Sequence, residues 1–549
     1  MPAYPSENRT PVDRRSFLAG AASAPPLALL AACTTAAVPG AVPASIAGTV
    51  GTTPTAGAAA ATGVLSDAQV AAAVARLDDL IQKAMADTGV PGLSIAVVHD
   101  DKVLYAKGFG VKQVGTSDRV DENTVFQVAS VSKSVGATGV ASAVGDAKMA
   151  WSDPVVSHLP SFALADPYVT QHVSIADLYS HRSGLPEHAG DHLEDLGYDR
   201  AEVLARLRLE SLDPFRITYH YTNFGMTAAA EAVATAAGTS WEALLKSRIY
   251  DPLGMTSTSS TFADFDGRPN KATGNMLTDG VWRPTTEQRQ PDAQSAAGGV
   301  SSSAVDMAKW MRMVLADGSF EGRQVVKPEA LAPVLTPQIT SSPPRTFGGR
   351  PGFYGLGFNV GTDDAGKVRF SHSGAFTLGT GTAFTLVPAD GLGMIVLTNG
   401  TPLGVAESLI ASFLDLAQTG TLTADWLGRY RPIFEEMLAN PSTLAGKTRP
   451  ANVRAAQPAT AYVGSFSNDY YGPANVAENG DGSLVLKLGP KPLEFPLAHW
   501  DGDVFTYSPP GENGFDIAAV TFTVAAAGQA SSVVVENLDK TGLGTFTRT

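Results

Sequence analysis

A chain of 549 residues is longer than one hydrophobic core comfortably holds and predicts two domains, or one large domain with additions. With 44% hydrophobic and 17% charged residues it reads as globular, and a formal net charge of -14 argues against nucleic acid or an anionic membrane surface as partner. Cys33 is the single cysteine, so no internal disulfide forms.

Residues 1–33 read as an address. Asp13-Arg14-Arg15-Ser16-Phe17-Leu18 is a twin-arginine pattern, followed by a weakly apolar run too short, and too broken by Pro25 and Pro26, to span a membrane. The run ends Leu30-Ala31-Ala32-Cys33, which resembles the lipobox of bacterial lipoproteins, where the cysteine becomes the lipidated first residue. The expectation is export and a lipid anchor at Cys33 on the periplasmic side of a bacterial cell envelope, with a soluble periplasmic or secreted form as the alternative. Residues 34–65 are Ala/Thr/Gly/Pro-rich with almost no charge or bulky apolar groups, so they predict a tether rather than a core. As a flexible coil of about 30 residues it spans roughly 30 Å.

Folded sequence is expected from residue 66. Val70, Val74, Leu77, Leu80, Ile81 and Met85 fall at helical spacing behind a polar start at Ser66, Asp67 and Gln69. Leu93-Ser94-Ile95-Ala96-Val97-Val98 and Val103-Leu104-Tyr105-Ala106, joined by His99-Asp100-Asp101-Lys102, read as a β-hairpin. Phe126 to Ser134 then delivers Ser130 and, three residues later, Lys133. A serine hydroxyl needs a base within hydrogen-bond reach to act as nucleophile. On a helix starting at Ser130, Lys133 stacks one turn along on the same face, and the helix N-terminus favours developing negative charge. Lys133 must shed its proton to serve as that base, and burial is the physical route. The small apolar residues Val135 to Ala141 fit a helix buried at a domain centre.

This beginning resembles the serine β-lactamase and penicillin-binding-protein superfamily, in particular its class C-like esterase and peptidase branch. The resemblance implies an α+β β-lactamase/transpeptidase-like domain, with an antiparallel sheet flanked by helices and an all-helical part. Tyr221-Thr222-Asn223 matches the family's Tyr-x-Asn element. Tyr221 would relay protons beside Ser130 and Lys133, and Asn223 would orient a substrate carbonyl. His372-Ser373-Gly374 resembles the His-x-Gly form of its Lys-Thr-Gly strand. Gly374 would let substrate lie against the strand edge, and the backbone N–H of Ala375 would pair with that of Ser130 as an oxyanion hole. His372 in place of lysine leaves a group only partly cationic near pH 7, which favours an ester or amide over a substrate anchored by its carboxylate. Ile175 to Leu185, Asp251-Pro252-Leu253-Gly254-Met255 and Ala297 to Ser302 resemble further family landmarks, so the resemblance covers residues 66 to about 415.

Glu187-His188-Ala189-Gly190-Asp191-His192 sets two histidines at i, i+4, a zinc-compatible spacing, but Pro186 and Gly190 oppose a regular helix. A polar insertion near the pocket rim is the better reading; no metal and no cofactor are expected. Residues 416–460 read as an amphipathic helix over Trp426–Leu438 and a Pro/Ala-rich connection. From 461 to 549 short β-like runs separated by turns, with Asn479-Gly480-Asp481-Gly482 marking a hairpin, predict a small antiparallel barrel or sandwich. It resembles the lipocalin-like C-terminal domain of some members of this family, where the module mediates homo-oligomer contacts or walls the active site; a ligand-carrying barrel is the alternative.

The sequence therefore predicts an exported serine hydrolase acting through an acyl-enzyme on a small-molecule or peptide acyl substrate. Carboxylesterase, D-aminopeptidase and D-Ala-D-Ala carboxypeptidase activities all stay open, with β-lactamase as the alternative. A non-catalytic penicillin-binding or scaffold protein is the opposing class.

Overall fold

The structure is a computed structural model describing residues 63–549 apart from 345, 347, 348 and 364. The twin-arginine and lipobox expectations, Cys33 included, lie outside the described residues. No helix among the described residues is long and apolar enough to cross a membrane.

The first expected helix is two. Ser66 caps α1 (Asp67–Val74), with its side chain and that of Gln69 forming a reciprocal capping box. The chain then turns through Ala75 and Arg76 and restarts as α2 (Leu77–Thr88), which Gly89 ends in the left-handed region. The hairpin follows as β1 (Gly92–His99) and β2 (Lys102–Gly110). His99 pairs with Lys102, leaving a two-residue turn. Both turn residues, Asp100 and Asp101, have positive φ, +46° and +60°, the backbone that matches strand twist in such hairpins.

These strands join β3 (Ile339–Ser342), β4 (Gly352–Tyr354), β5 (Asn359–Thr362), β6 (Val368–Phe376), β7 (Thr380–Val387) and β8 (Leu392–Thr398) in one eight-stranded sheet. Its order is β2-β1-β8-β7-β6-β5-β4-β3, with neighbouring strands antiparallel throughout. Strand periodicity sorts its side chains into two cores. Leu93, Ile95 and Val97 pack with α1, α2 and α6 (Val405–Thr419) on one face. Ala96 and Val98 face the other core, which holds α3 (Val131–Gly145), α4 (Asn223–Ala237) and α5 (Ala304–Leu315).

Helix α3 is the centre of that second core, buried from Val131 to Ala143. Its small residues are what allow this. A Cβ on Gly139 would meet Leu245 Cδ2 at 2.3 Å, and one on Gly136 would meet the Trp241 ring at 2.9 Å. Helix α6 runs across the expected boundary at 415, and α7 (Trp426–Met437) packs back on it through Trp426, Tyr430 and Phe434. The Asp415 carboxylate ties the two helices by accepting from Trp426 Nε1, Thr423 N and Thr423 Oγ1 at 2.6–2.7 Å.

Residues 464–548 form a closed eight-stranded antiparallel barrel. Its strands are β9 (Gly464–Asn468), β10 (Gly472–Glu478), β11 (Leu484–Leu488), β12 (Leu493–Asp501), β13 (Val504–Tyr507), β14 (Ala518–Val524), β15 (Ala530–Val535) and β16 (Thr545–Arg548). The expected hairpin turn at 479–482 joins β10 to β11. Tyr462, Phe466, Phe505, Phe522 and Phe546 are buried together; Tyr462 lies 5.0 Å from the Phe505 ring and 4.9 Å from that of Phe522. The barrel also shares a continuous core with the first domain. Tyr198 Oη donates to the carbonyl of Tyr471, and Gly190 N donates to Tyr470 Oη.

Candidate active site

The segment before α3 is held at several points. Val128 N donates to the carbonyl of Val300, and the Val128 carbonyl accepts from Thr382 Oγ1 at 2.8 Å. Ala129 then takes φ +46°, a left-handed conformation that a residue with a Cβ adopts at a cost. That turn puts Ser130 at the N-cap position of α3. Lys133, one turn on, is fully buried, and its Nζ lies 3.1 Å from Ser130 Oγ. The same Nζ donates to Asn223 Oδ1 at 2.7 Å and to the Ala297 carbonyl at 3.0 Å, and sits 4.5 Å from the centre of the Tyr221 ring. Ser130, Lys133, Tyr221 and Asn223 thus converge from segments 90 residues apart.

His181 positions the Tyr221 segment. Its Nδ1 accepts from Thr222 N at 3.2 Å, and its ring packs 4.5 Å from that of Tyr221. Burial and the neighbouring Lys133 hold this imidazole well below its usual range, so it is the neutral acceptor this contact requires.

His372 differs from the expectation. Its side chain lies on the buried face of β6 with Phe370 and Gly374, bonded to Tyr354 Oη at 2.9 Å and to the Ser373 carbonyl at 2.6 Å. Burial, then Lys133, push its pKa down to about 3. It is a neutral group near pH 7 rather than a partly cationic one, because strand alternation turns it into the core. Gly374 also has a more local reason than room for substrate. A Cβ there would fall 2.4 Å from the Val128 carbonyl and 2.9 Å from Ser130 N. Strand β5 pairs with β6 only over 368–371, so the next residues of β6 present an open edge, where Ala375 joins Ser130 in lining the pocket.

That pocket is a cavity of about 170 Å3, open on one side. Besides Ser130, Tyr221, Asn223 and Ala375 it is lined by residues of the polar insertion expected near its rim and by groups from the barrel that sequence reasoning did not single out. From the insertion come His188 and Asp191. The left-handed turns at His188 and Gly190 start a short helix, Asp191–Asp195, within the polar insertion expected at the rim. Asp191 Oδ2 accepts from Asn223 Nδ2 at 2.8 Å and faces His188 Nδ1 at 2.8 Å, fixing which way the Asn223 amide points. From the barrel come Glu512, Asn513, Gly514, Phe515 and Lys540. No short motif marks these residues; only the docking of the barrel brings them to the site.

Residues 77–418 match the family described as Beta-lactamase. The chain belongs to that family. Residues 448–544 match a second family, a domain of unknown function, DUF3471, which covers most of the barrel. An unguisins hydrolase of Aspergillus campestris is 26% identical over 70% of this chain and 73% of its own length. Penicillin-binding protein 4 of Amycolatopsis lactamdurans is 31% identical over 60% of this chain and 84% of its own. Among solved structures, the octameric penicillin-binding protein homologue from Pyrococcus abyssi superimposes with a TM-score of 0.54 at 22% identity, covering 84% of this chain and 98% of that one. For this beta-lactamase-family chain the fold is therefore the expected α+β domain followed by an all-β barrel, and its relatives include hydrolases and penicillin-binding proteins.

Proposed function

We propose that the protein is a serine hydrolase that transfers an acyl group from an ester or a peptide-type amide to Ser130 and then to water. The observation that carries this is the 3.1 Å approach of Lys133 Nζ to Ser130 Oγ inside a pocket that also meets the open edge of β6. Ser130 Oγ attacks the substrate carbonyl and passes its proton to Lys133, with Tyr221 beside the ammonium as the relay to the leaving group. The backbone N–H groups of Ser130 and Ala375 receive the developing oxyanion, each such donor typically lowering the barrier by about 2.7–4 kcal/mol. The leaving group departs protonated, and water attacks the acyl-enzyme by the reverse proton route. Asn223 holds Lys133 from the far side and presents its amide to the substrate.

The neutral, inward-facing His372 supplies no positive charge to a substrate carboxylate, which favours an ester or amide over a β-lactam. Its Tyr354 contact keeps the β6 edge in register with Ser130. Export through the twin-arginine pattern and anchoring at Cys33 would set this chemistry at the cell envelope, and the barrel would be available for homo-oligomer contacts.

The test is hydrolysis of p-nitrophenyl butyrate, a D-Ala-D-Ala peptide and a penicillin by the wild type, Ser130→Ala and Lys133→Ala. Turnover of the ester or peptide that disappears in both variants supports the reading. Turnover that survives Ser130→Ala, or a penicillin as the preferred substrate, overturns it.

A further inference from the structure

On the face of the eight-stranded sheet away from α3, the end of β1 meets the start of α1. Strand alternation puts His99 on the same face as Leu93, Ile95 and Val97, the face that packs α1, and its side chain is 3% exposed. Its Nδ1 lies 3.3 Å from Asp67 Oδ1, in the first turn of α1, and its Nε2 lies 3.9 Å from Asp100 Oδ2, in the β1–β2 turn. Nε2 is buried and has no hydrogen-bond partner among the described residues. A ring nitrogen of His99 and one carboxylate oxygen each from Asp67 and Asp100 lie within 4.8 Å of one another.

Helix-dipole and turn chemistry account for the two aspartates separately, since an acid is favoured in the first turn of a helix and Asp tolerates the left-handed backbone of a tight hairpin. Neither accounts for an imidazole set between them with a buried nitrogen left bare, an arrangement that costs free energy while nothing meets that nitrogen. Nor does a protein cation neutralise the pair. The neighbouring acids are each taken, Asp101 by Arg312 at 2.8 Å and Asp390 by Lys367 at 2.6 Å. Among the described residues no lysine or arginine pairs with Asp67 or Asp100, which face only the imidazole. Both carboxylates are exposed, so they are free to move in on an ion, whose bonds of about 2.0–2.2 Å set ligand atoms roughly 3–3.5 Å apart.

We propose that Asp67, His99 and Asp100 bind one divalent transition-metal ion of the zinc type, with water completing its shell. An imidazole nitrogen with two carboxylates is a mixed N/O donor set that suits zinc better than calcium or magnesium, which take oxygen ligands. The ion has a structural role. It ties α1 to the β1–β2 turn, next to the points where Leu65 N donates to Asp390 Oδ1 and the Gly63 carbonyl accepts from Lys367 Nζ. It is independent of the Ser130 chemistry, and it is separate from His188 and His192, whose spacing is zinc-compatible in the sequence.

The experiment titrates Zn2+ into the untagged, metal-stripped full chain by calorimetry, for the wild type, Asp67→Asn, Asp100→Asn and the double variant, and reads Tm with zinc and with a chelator. Both substitutions fall on exposed side chains of unchanged size, so the variants fold, and a Tm in chelator close to that of the wild type verifies it. The expected result is about one zinc ion per chain, bound at least about tenfold more weakly in each single variant, since changes one shell further from a metal already cost about 10–100-fold. Zinc at about a hundred times its dissociation constant should raise the wild-type Tm by about 2 °C or more and leave that of the double variant in place. Excess Mg2+ or Ca2+ should not displace the zinc. A folded wild type that binds no zinc overturns the inference, as does displacement by Mg2+ or Ca2+. Zinc bound with wild-type affinity by the double variant overturns it as well, and places the ion elsewhere, with His188 and Asp191 the next site to vary.

Discussion

Replacing Gly374 with alanine adds one methyl group in the middle of the proposed machinery. An ideal Cβ at 374 falls 2.4 Å from the Val128 carbonyl oxygen, 2.6 Å from Thr382 Oγ1 and 2.9 Å from Ser130 N. Ordinary contact begins at 3.4 Å, so β6 and the Val128–Ser130 segment must separate by about 1 Å (3.4 − 2.4). Neither side yields freely. Val128 is bonded through its carbonyl to Thr382 and through its N–H to Val300, and β6 is paired to β7 along its length. Overpacking of this kind costs about 1–3 kcal/mol, and moving a nucleophile relative to its oxyanion donors by about 1 Å costs on the order of a hundredfold in rate. Gly374→Ala should therefore lower the urea midpoint and reduce kcat/KM for p-nitrophenyl butyrate by about two orders of magnitude, with most of the loss in kcat. A variant with the wild-type midpoint and activity within about threefold would refute the placement of Ser130 N against β6.

Other consequences are equally direct. Asp415→Ala leaves Trp426 Nε1, Thr423 N and Thr423 Oγ1 without their shared acceptor; it should cost on the order of 2–4 kcal/mol in denaturant unfolding while leaving the acid cluster of the pocket in place. Asp177 is fully buried between Arg182 and Arg216 and accepts from the backbone N–H of the helix cap Ser174; Asp177→Ala should destabilise by on the order of 3 kcal/mol, whereas Asp251→Ala, an exposed partner of Lys246, should change stability by less than about 1 kcal/mol. His372 is neutral in the fold, with its pKa pushed down to about 3, while the unfolded chain binds a proton at about 6.5. Its contribution to stability is thus complete above pH 6.5 and is lost as pH falls from there towards about 3, at up to about 1.4 kcal/mol per pH unit. Urea unfolding between pH 7 and pH 5 should show a shallower loss in His372→Asn than in the wild type, and equal slopes would contradict the burial of a neutral imidazole.

The short motifs were legible because each carries its own geometry. Ser130 and Lys133 are one helical turn apart, and the i to i+3 spacing alone brings their side chains to one face. Tyr221 and Asn223 lie two residues apart around a helix start, and Gly374 marks a place where two backbones meet. The barrel was legible in class but not in count. Strands β10 and β12 hold Pro473, Asn475, Pro496 and several exposed positions, so they lack the β-branched alternation that marks β11 or β15. The state of His372 was out of reach, since residue type gives an ordinary pKa and only burial moves it. So was the second half of the pocket. Arg289, Glu512 and Lys540 are single residues spread over some 250 positions, and nothing local records that loop 508–517 docks beside β6.

The most direct measurement of the central claim is intact mass of the full chain after reaction with a fluorophosphonate, for the wild type and Ser130→Ala, with peptide mapping of the adduct. One covalent adduct on the wild type, mapped to Ser130 and absent from the variant, is the predicted result. A folded wild type that takes no adduct, or an adduct that persists in Ser130→Ala, would contradict Ser130 as the nucleophile.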